Sequence, residues 1–168
     1  MSLRTVLLTV PVLALLAQPL WAPSWGAGIL GEVGALGVPG AITATVVFVG
    51  LVALYCRCLQ RLQQRVTPEA RSRSPRSVWL MFAVPFNFVE DFVIIADLGG
   101  SLRRDGRVPG AAVRVWTVAG GTWCLFQIAS LLPGTVGVVS GVLALAVWAG
   151  HWRHTAVIGR RLTVATTA

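Results

Sequence analysis

The sequence contains no lysine, so all fourteen of its basic side chains are arginine. It is also poor in charge of either sign: charged residues make up 12% of the chain, about half the share of an ordinary soluble domain. That scarcity excludes a conventional soluble fold. The three cysteines, Cys56, Cys58 and Cys124, form no CxxC and no paired Cys/His framework. A disulfide scaffold and a structural zinc site are therefore not expected. No Ser/His/Asp or Cys/His arrangement is placed for catalysis, and Gly31, Gly34 and Gly37 lack the Lys-Ser/Thr of a phosphate loop. No enzyme, metal or cofactor is expected.

What is present is apolar sequence. Hydrophobic residues make up 55% of 168, with a mean hydropathy of +0.75. The class this implies is an all-α integral membrane bundle with one domain, since a span takes about 20 residues. Four spans are expected, at residues 5–21, 41–56, 113–132 and 135–152. The first resembles a signal peptide but has poor cleavage grammar, and is read as a retained helix bent at Pro11. The connection from Ala22 to Gly40 is rich in Gly and Pro, begins with Trp21 and Trp25, carries the single charge Glu32, and reads as a non-cytoplasmic loop. Arg57, Arg61 and Arg65 recur every fourth residue, lining one face of a helix that leaves the membrane and should end at Pro68. Asp105-Gly106 and Pro109-Gly110 signal turns.

The arginines orient these segments, because positive residues of short loops stay on the cytoplasmic side. They lie at position 4, between 57 and 76, between 103 and 114, and at 153, 160 and 161. With four spans all fall on one side, giving two helical hairpins with both termini in the cytoplasm. Lysine-free usage suggests a GC-rich bacterial genome and hence a bacterial inner membrane. Arg57, Arg61, Arg65, Arg103 and Arg104 are expected to meet anionic lipid headgroups. Without interleaved aromatics the basic loops do not suggest nucleic acid.

This ledger constrains the central stretch, residues 77–102. One crossing would put Arg103, Arg104, Arg107 and Arg114 outside and bury Glu90, Asp91 and Asp97 at about 2.5–3.5 kcal/mol each. We read instead an apolar entry from Val78 to Val84, a break at Pro85, and an amphipathic in-plane or re-entrant helix from Phe86 to about Ser101. On a helical wheel Asn87, Glu90, Asp91, Asp97 and Ser101 share one arc with Ile94 and Leu98. That arc is expected to be the wet face, its acids pairing with Arg103, Arg104 or the arginines of 57–76. The same acids are candidates for a partner contact or an ion site, and Asn87 for capping carbonyls freed at the proline. Pro85, Phe86, Asn87 and Phe88, followed by a span, a Leu-Leu-Pro-Gly turn and a basic last helix, resemble uncharacterised small bacterial multi-span membrane proteins. Those proteins are marked by a Val/Ile-Pro-x-Phe-Asn-aromatic segment before the last hairpin. The likeness covers about Arg76 to Leu162, departs at Glu90-Asp91, and implies a fold without an activity.

In the last span Gly137, Ser140 and Gly141 permit close helix approach, most simply by the preceding helix. His151 and His154, at its arginine-rich end, read as interfacial. The expected role is a non-catalytic accessory or scaffold subunit that packs against other membrane proteins or itself. The alternative is a small oligomeric ion or proton transporter using Glu90, Asp91 and Asp97.

Overall fold

The computed structural model describes residues 3–26, 31 and 33–167. Glu32 lies outside the described residues, as do the side chains of Arg4 and residues 164–167. Every regular element among the described residues is helical: α1 (Leu3–Leu16), α2 (Gly37–Arg65), α3 (Asn87–Asp105), α4 (Gly110–Ala129) and α5 (Gly134–Thr167), with short 3-10 turns between. Proline and glycine set the boundaries. α2 stops at Arg65, with Val66 extended and Pro68 opening a 3-10 turn. α3 ends on Gly106, whose φ of 73° is the left-handed cap that glycine adopts without a Cβ penalty. Pro109 precedes α4, and Gly134, with φ 72°, starts α5.

Some boundaries differ from expectation. α1 ends at Leu16, before Pro19, and residues 18–21 form a separate helical turn instead of completing a span to 21. α5 does not stop at Trp152 but runs as one helix through His151, His154 and the terminal arginines. Two described helices, α2 and α5, are long and apolar enough to cross a membrane, and Thr5–Leu16 is a shorter apolar helix.

α4 and α5 are antiparallel. Trp116 donates to Thr155 at 2.9 Å, Trp123 stacks on Trp148, and a Cβ added to Gly120 would lie 2.9 Å from His151 Nε2. Gly120 therefore lets α4 approach α5 and Ile95 of α3 at once. The buried core lies along the carboxyl-terminal half of α2 (Tyr55, Leu59, Leu62), all of α3 (Ile94, Leu98, Leu102) and the carboxyl-terminal part of α5 (Ile158, Leu162). Their spacing of three or four residues makes one apolar stripe per helix. The rest of α2 is unlike this: no residue from 37 to 54 is buried.

The central stretch folds back on itself. The chain rises along α2 as the 3-10 segment Pro75–Phe82, turns at residues 83–86 and returns as α3. Its two ends are tied together: Ser72 N donates to Ser101 Oγ at 3.0 Å, the Arg104 guanidinium donates to the Ala70 carbonyl, and Thr67 N donates to Asp105 Oδ2 at 2.8 Å.

Candidate functional site

Helical spacing places Asn87, Glu90, Asp91, Ile94, Leu98 and Ser101 on one arc of α3, and all six are buried. The arc expected to face water faces protein. Arg73, one of the arginines of 57–76 expected to pair with these acids, is the residue that reaches them, from the loop before the entry segment. Its Nη1 is 3.1 Å from Glu90 Oε2 and its Nε 2.8 Å from Asp97 Oδ2. The Glu90 carboxylate, 1% exposed, also accepts from Thr5 Oγ1 of α1 at 3.0 Å. One guanidinium thus bridges two carboxylates, offsetting one of their two negative charges, and the Thr5 hydroxyl bonds the buried one. Asp97 remains one-third exposed.

Asp91 stands apart from that ion-pair cluster. It is 2% exposed, and the side-chain amide facing it is that of Gln127 on α4. Its Oδ1 has no hydrogen-bond partner among the described residues, nor do Asn87 Oδ1, one turn earlier on α3, and Gln127 Oε1. Three buried oxygens from two helices are therefore acceptors that no donor among the described residues meets, and of these only the Asp91 carboxyl can itself carry a proton. Among the described residues no three His, Cys, Asp or Glu side chains come together as metal ligands. The three cysteines are free, with Cys56 and Cys124 buried.

The expectation for His151 is corrected. It is 1% exposed and lies in the core, with Nδ1 hydrogen-bonded to Tyr55 Oη at 2.7 Å and its ring against Trp116. Tyr55 is packed edge-on by Trp123, Trp148 and Trp152. The partners lie on different helices, so no local pattern announces this contact. His154 is half-buried. The glycines behave differently from each other. A Cβ at Gly137 would collide with the Leu132 carbonyl, while one at Gly141 would sit 3.7 Å from Ser130 Cβ. Both therefore face the turn that joins α4 to α5.

The expected headgroup arginines divide into two sets. Arg57, Arg61 and Arg65 of α2 line one groove with Arg160 of α5, enclosing about 370 Å³. Arg103 and Arg104 are exposed at the end of α3, where Arg104 is engaged with Ala70 and Ser72. Nearby, the buried Asp105 carboxylate accepts from both Nε and Nη2 of Arg107, at 2.7 and 2.8 Å, and these bonds hold its pKa below the ordinary carboxylate value. Arg107 Nη2 also donates to the Arg65 carbonyl at 2.6 Å, joining the ends of α2 and α3.

Comparison of the chain with protein-family models, curated proteins and solved structures finds no match.

Proposed function

We propose that the chain is a multi-pass protein of a bacterial inner membrane, with both termini cytoplasmic, acting as a non-catalytic accessory or scaffold subunit. The observation that carries this reading is the amino-terminal half of α2. It is apolar on every side, and none of residues 37–54 is buried within the chain. A helix of that kind needs an apolar surrounding that the protein does not supply itself. Lipid meets that need around the outer faces of α1, α2 and α5, and a neighbouring membrane helix meets it along α2. The hairpin of residues 77–102 is then a re-entrant element whose ends share the cytoplasmic side. α1 and α4 complete the four spans. The ion pairs of Arg73 with Glu90 and Asp97 favour a structural use for those acids over an ion path.

A photocrosslinking residue at Val46 or Phe48 on α2, activated in native membranes, tests the subunit reading. A stoichiometric crosslink to one membrane protein, or to a second copy, is expected; crosslinks to lipid alone overturn it. One observation favours a second reading, proton or cation transfer: the unpartnered oxygens of Asn87, Asp91 and Gln127. Ion or proton flux into vesicles containing the purified chain, abolished by Asp91→Asn, would establish that reading in place of the first.

A further inference from the structure

The groove between α2 and α5 has features that a solvated arginine face does not require. Four guanidinium-bearing residues from two helices, Arg57, Arg61, Arg65 and Arg160, converge on it. No Asp or Glu among the described residues lines it, so their charge is not neutralised there by the chain. The Arg65 guanidinium lies over Gly159, where an added Cβ would be 2.7 Å from Nη1; the absence of a side chain on α5 lets this arginine sit in the groove. Leu54 forms the end of the lining nearest the apolar half of α2, whose Val46, Val47 and Leu51 are exposed above it. One end of the groove is cationic and the other continues as hydrocarbon-compatible surface. Both walls are the helices long and apolar enough to span a membrane.

We infer that this groove is a binding site for one anionic phospholipid. Its phosphate is held by Arg57, Arg61, Arg65 and Arg160, and its acyl chains run along the exposed face of α2. Planar guanidinium groups donate pairs of hydrogen bonds to phosphate oxygens, and basic pockets between membrane helices on the cytoplasmic side select anionic headgroups. The occupant is distinguished from bulk headgroup attraction by Gly159, which matters for a seated lipid and not for a diffuse charge. The inference rests on the membrane-embedded reading and extends it from a basic face to a defined site.

The test reconstitutes the full chain in vesicles of phosphatidylcholine with a minor share of phosphatidylglycerol, extracts it gently and counts retained lipids by native mass spectrometry. Retention of phosphatidylglycerol enriched by about tenfold or more over phosphatidylcholine is expected, since each arginine near an anionic surface contributes a factor of about five. Arg61→Gln with Arg160→Gln, one from each wall, should lower the enrichment by at least about tenfold. Gly159→Ala should lower it without changing any charge, because the methyl group displaces the flexible end of Arg65. Arg103→Gln, on the other arginine cluster, should leave it intact. Equal retention of both lipids, unchanged enrichment in the double variant, or unchanged enrichment in Gly159→Ala would overturn the inference. So would displacement of the lipid by inorganic phosphate, which would mark a site for free anions. A chain that reconstitutes but retains no anionic lipid fails this inference alone; a chain that stays soluble without vesicles or detergent fails the membrane reading as well.

Discussion

Single residues separate backbone requirements from packing requirements. Gly106 has a left-handed φ and open space around a would-be Cβ, so Gly106→Ala should cost about 1 kcal/mol, and purely as backbone strain. Gly137 is the reverse case: its φ is ordinary, and the methyl group of Gly137→Ala would meet the Leu132 carbonyl. We expect Gly137→Ala to give little folded protein and Gly141→Ala to be tolerated, as read by thermal unfolding in detergent. Near-equal midpoints for the two variants would refute the close approach at the α4–α5 turn. Asp105 supplies a pH dependence. Its folded pKa lies below the ordinary value because Arg107 bonds the carboxylate. Its contribution is therefore complete above the unfolded value of about 3.9 and is lost as pH falls through the folded value. Unfolding midpoints of the native chain should drop below about pH 4, with part of that drop absent in Asp105→Asn.

At the level of the element, α3 shows what helical spacing can and cannot reveal. Which residues share an arc follows from the sequence, because a 3.6-residue repeat is a local property. Whether that arc faces water or protein depends on Arg73, fourteen positions before Asn87, and on Thr5, eighty-five positions before Glu90. Neither distance leaves a periodic trace. The end of α2 before Pro68 and the turn at Gly106 were legible because proline and glycine act locally. The Tyr55–His151 bond, ninety-six positions apart, was not. The arginines of the α2 groove were visible as a four-residue repeat, but their convergence with Arg160 was set by helix packing. The element-level prediction concerns the ion pair. Arg73→Gln removes the cation paired with the buried Glu90 carboxylate, leaving it the Thr5 hydroxyl bond, and should cost on the order of 3 kcal/mol. Adding Glu90→Gln should restore much of that loss, since the buried charge is then gone. A double variant no more stable than Arg73→Gln would show that Arg73 acts through something other than Glu90.

Across the whole molecule there are two zones. One, from Tyr55 downward along α2 and including the body of α3, is packed and carries the arginine contacts. The other, formed by the outer face of α1 and the amino-terminal halves of α2 and α5, exposes Leu, Val and Ile side chains. This division matches a molecule whose cytoplasmic end is a folded core and whose remaining length is solvated by lipid or by neighbouring helices. The apolar side chains of the central stretch also have an internal use, since Val78, Met81, Ile94 and Leu98 are buried in the core. Its hairpin packs along α2 and α4, and Arg73 of the preceding loop reaches two of its three acids, Glu90 and Asp97.

The most direct measurement is the sidedness of the two ends of that hairpin. Single cysteines at Arg76, Arg103 and Leu36, all exposed positions, would be introduced on a Cys58→Ala background, Cys56 and Cys124 being buried. They would then be challenged with a membrane-impermeant thiol reagent in intact cells and in inverted vesicles. The account predicts that cysteines at 76 and 103 react only in inverted vesicles, while one at 36 reacts only in intact cells. Labelling of position 103 from outside, with position 76 still protected, would make the central stretch a crossing and contradict the account.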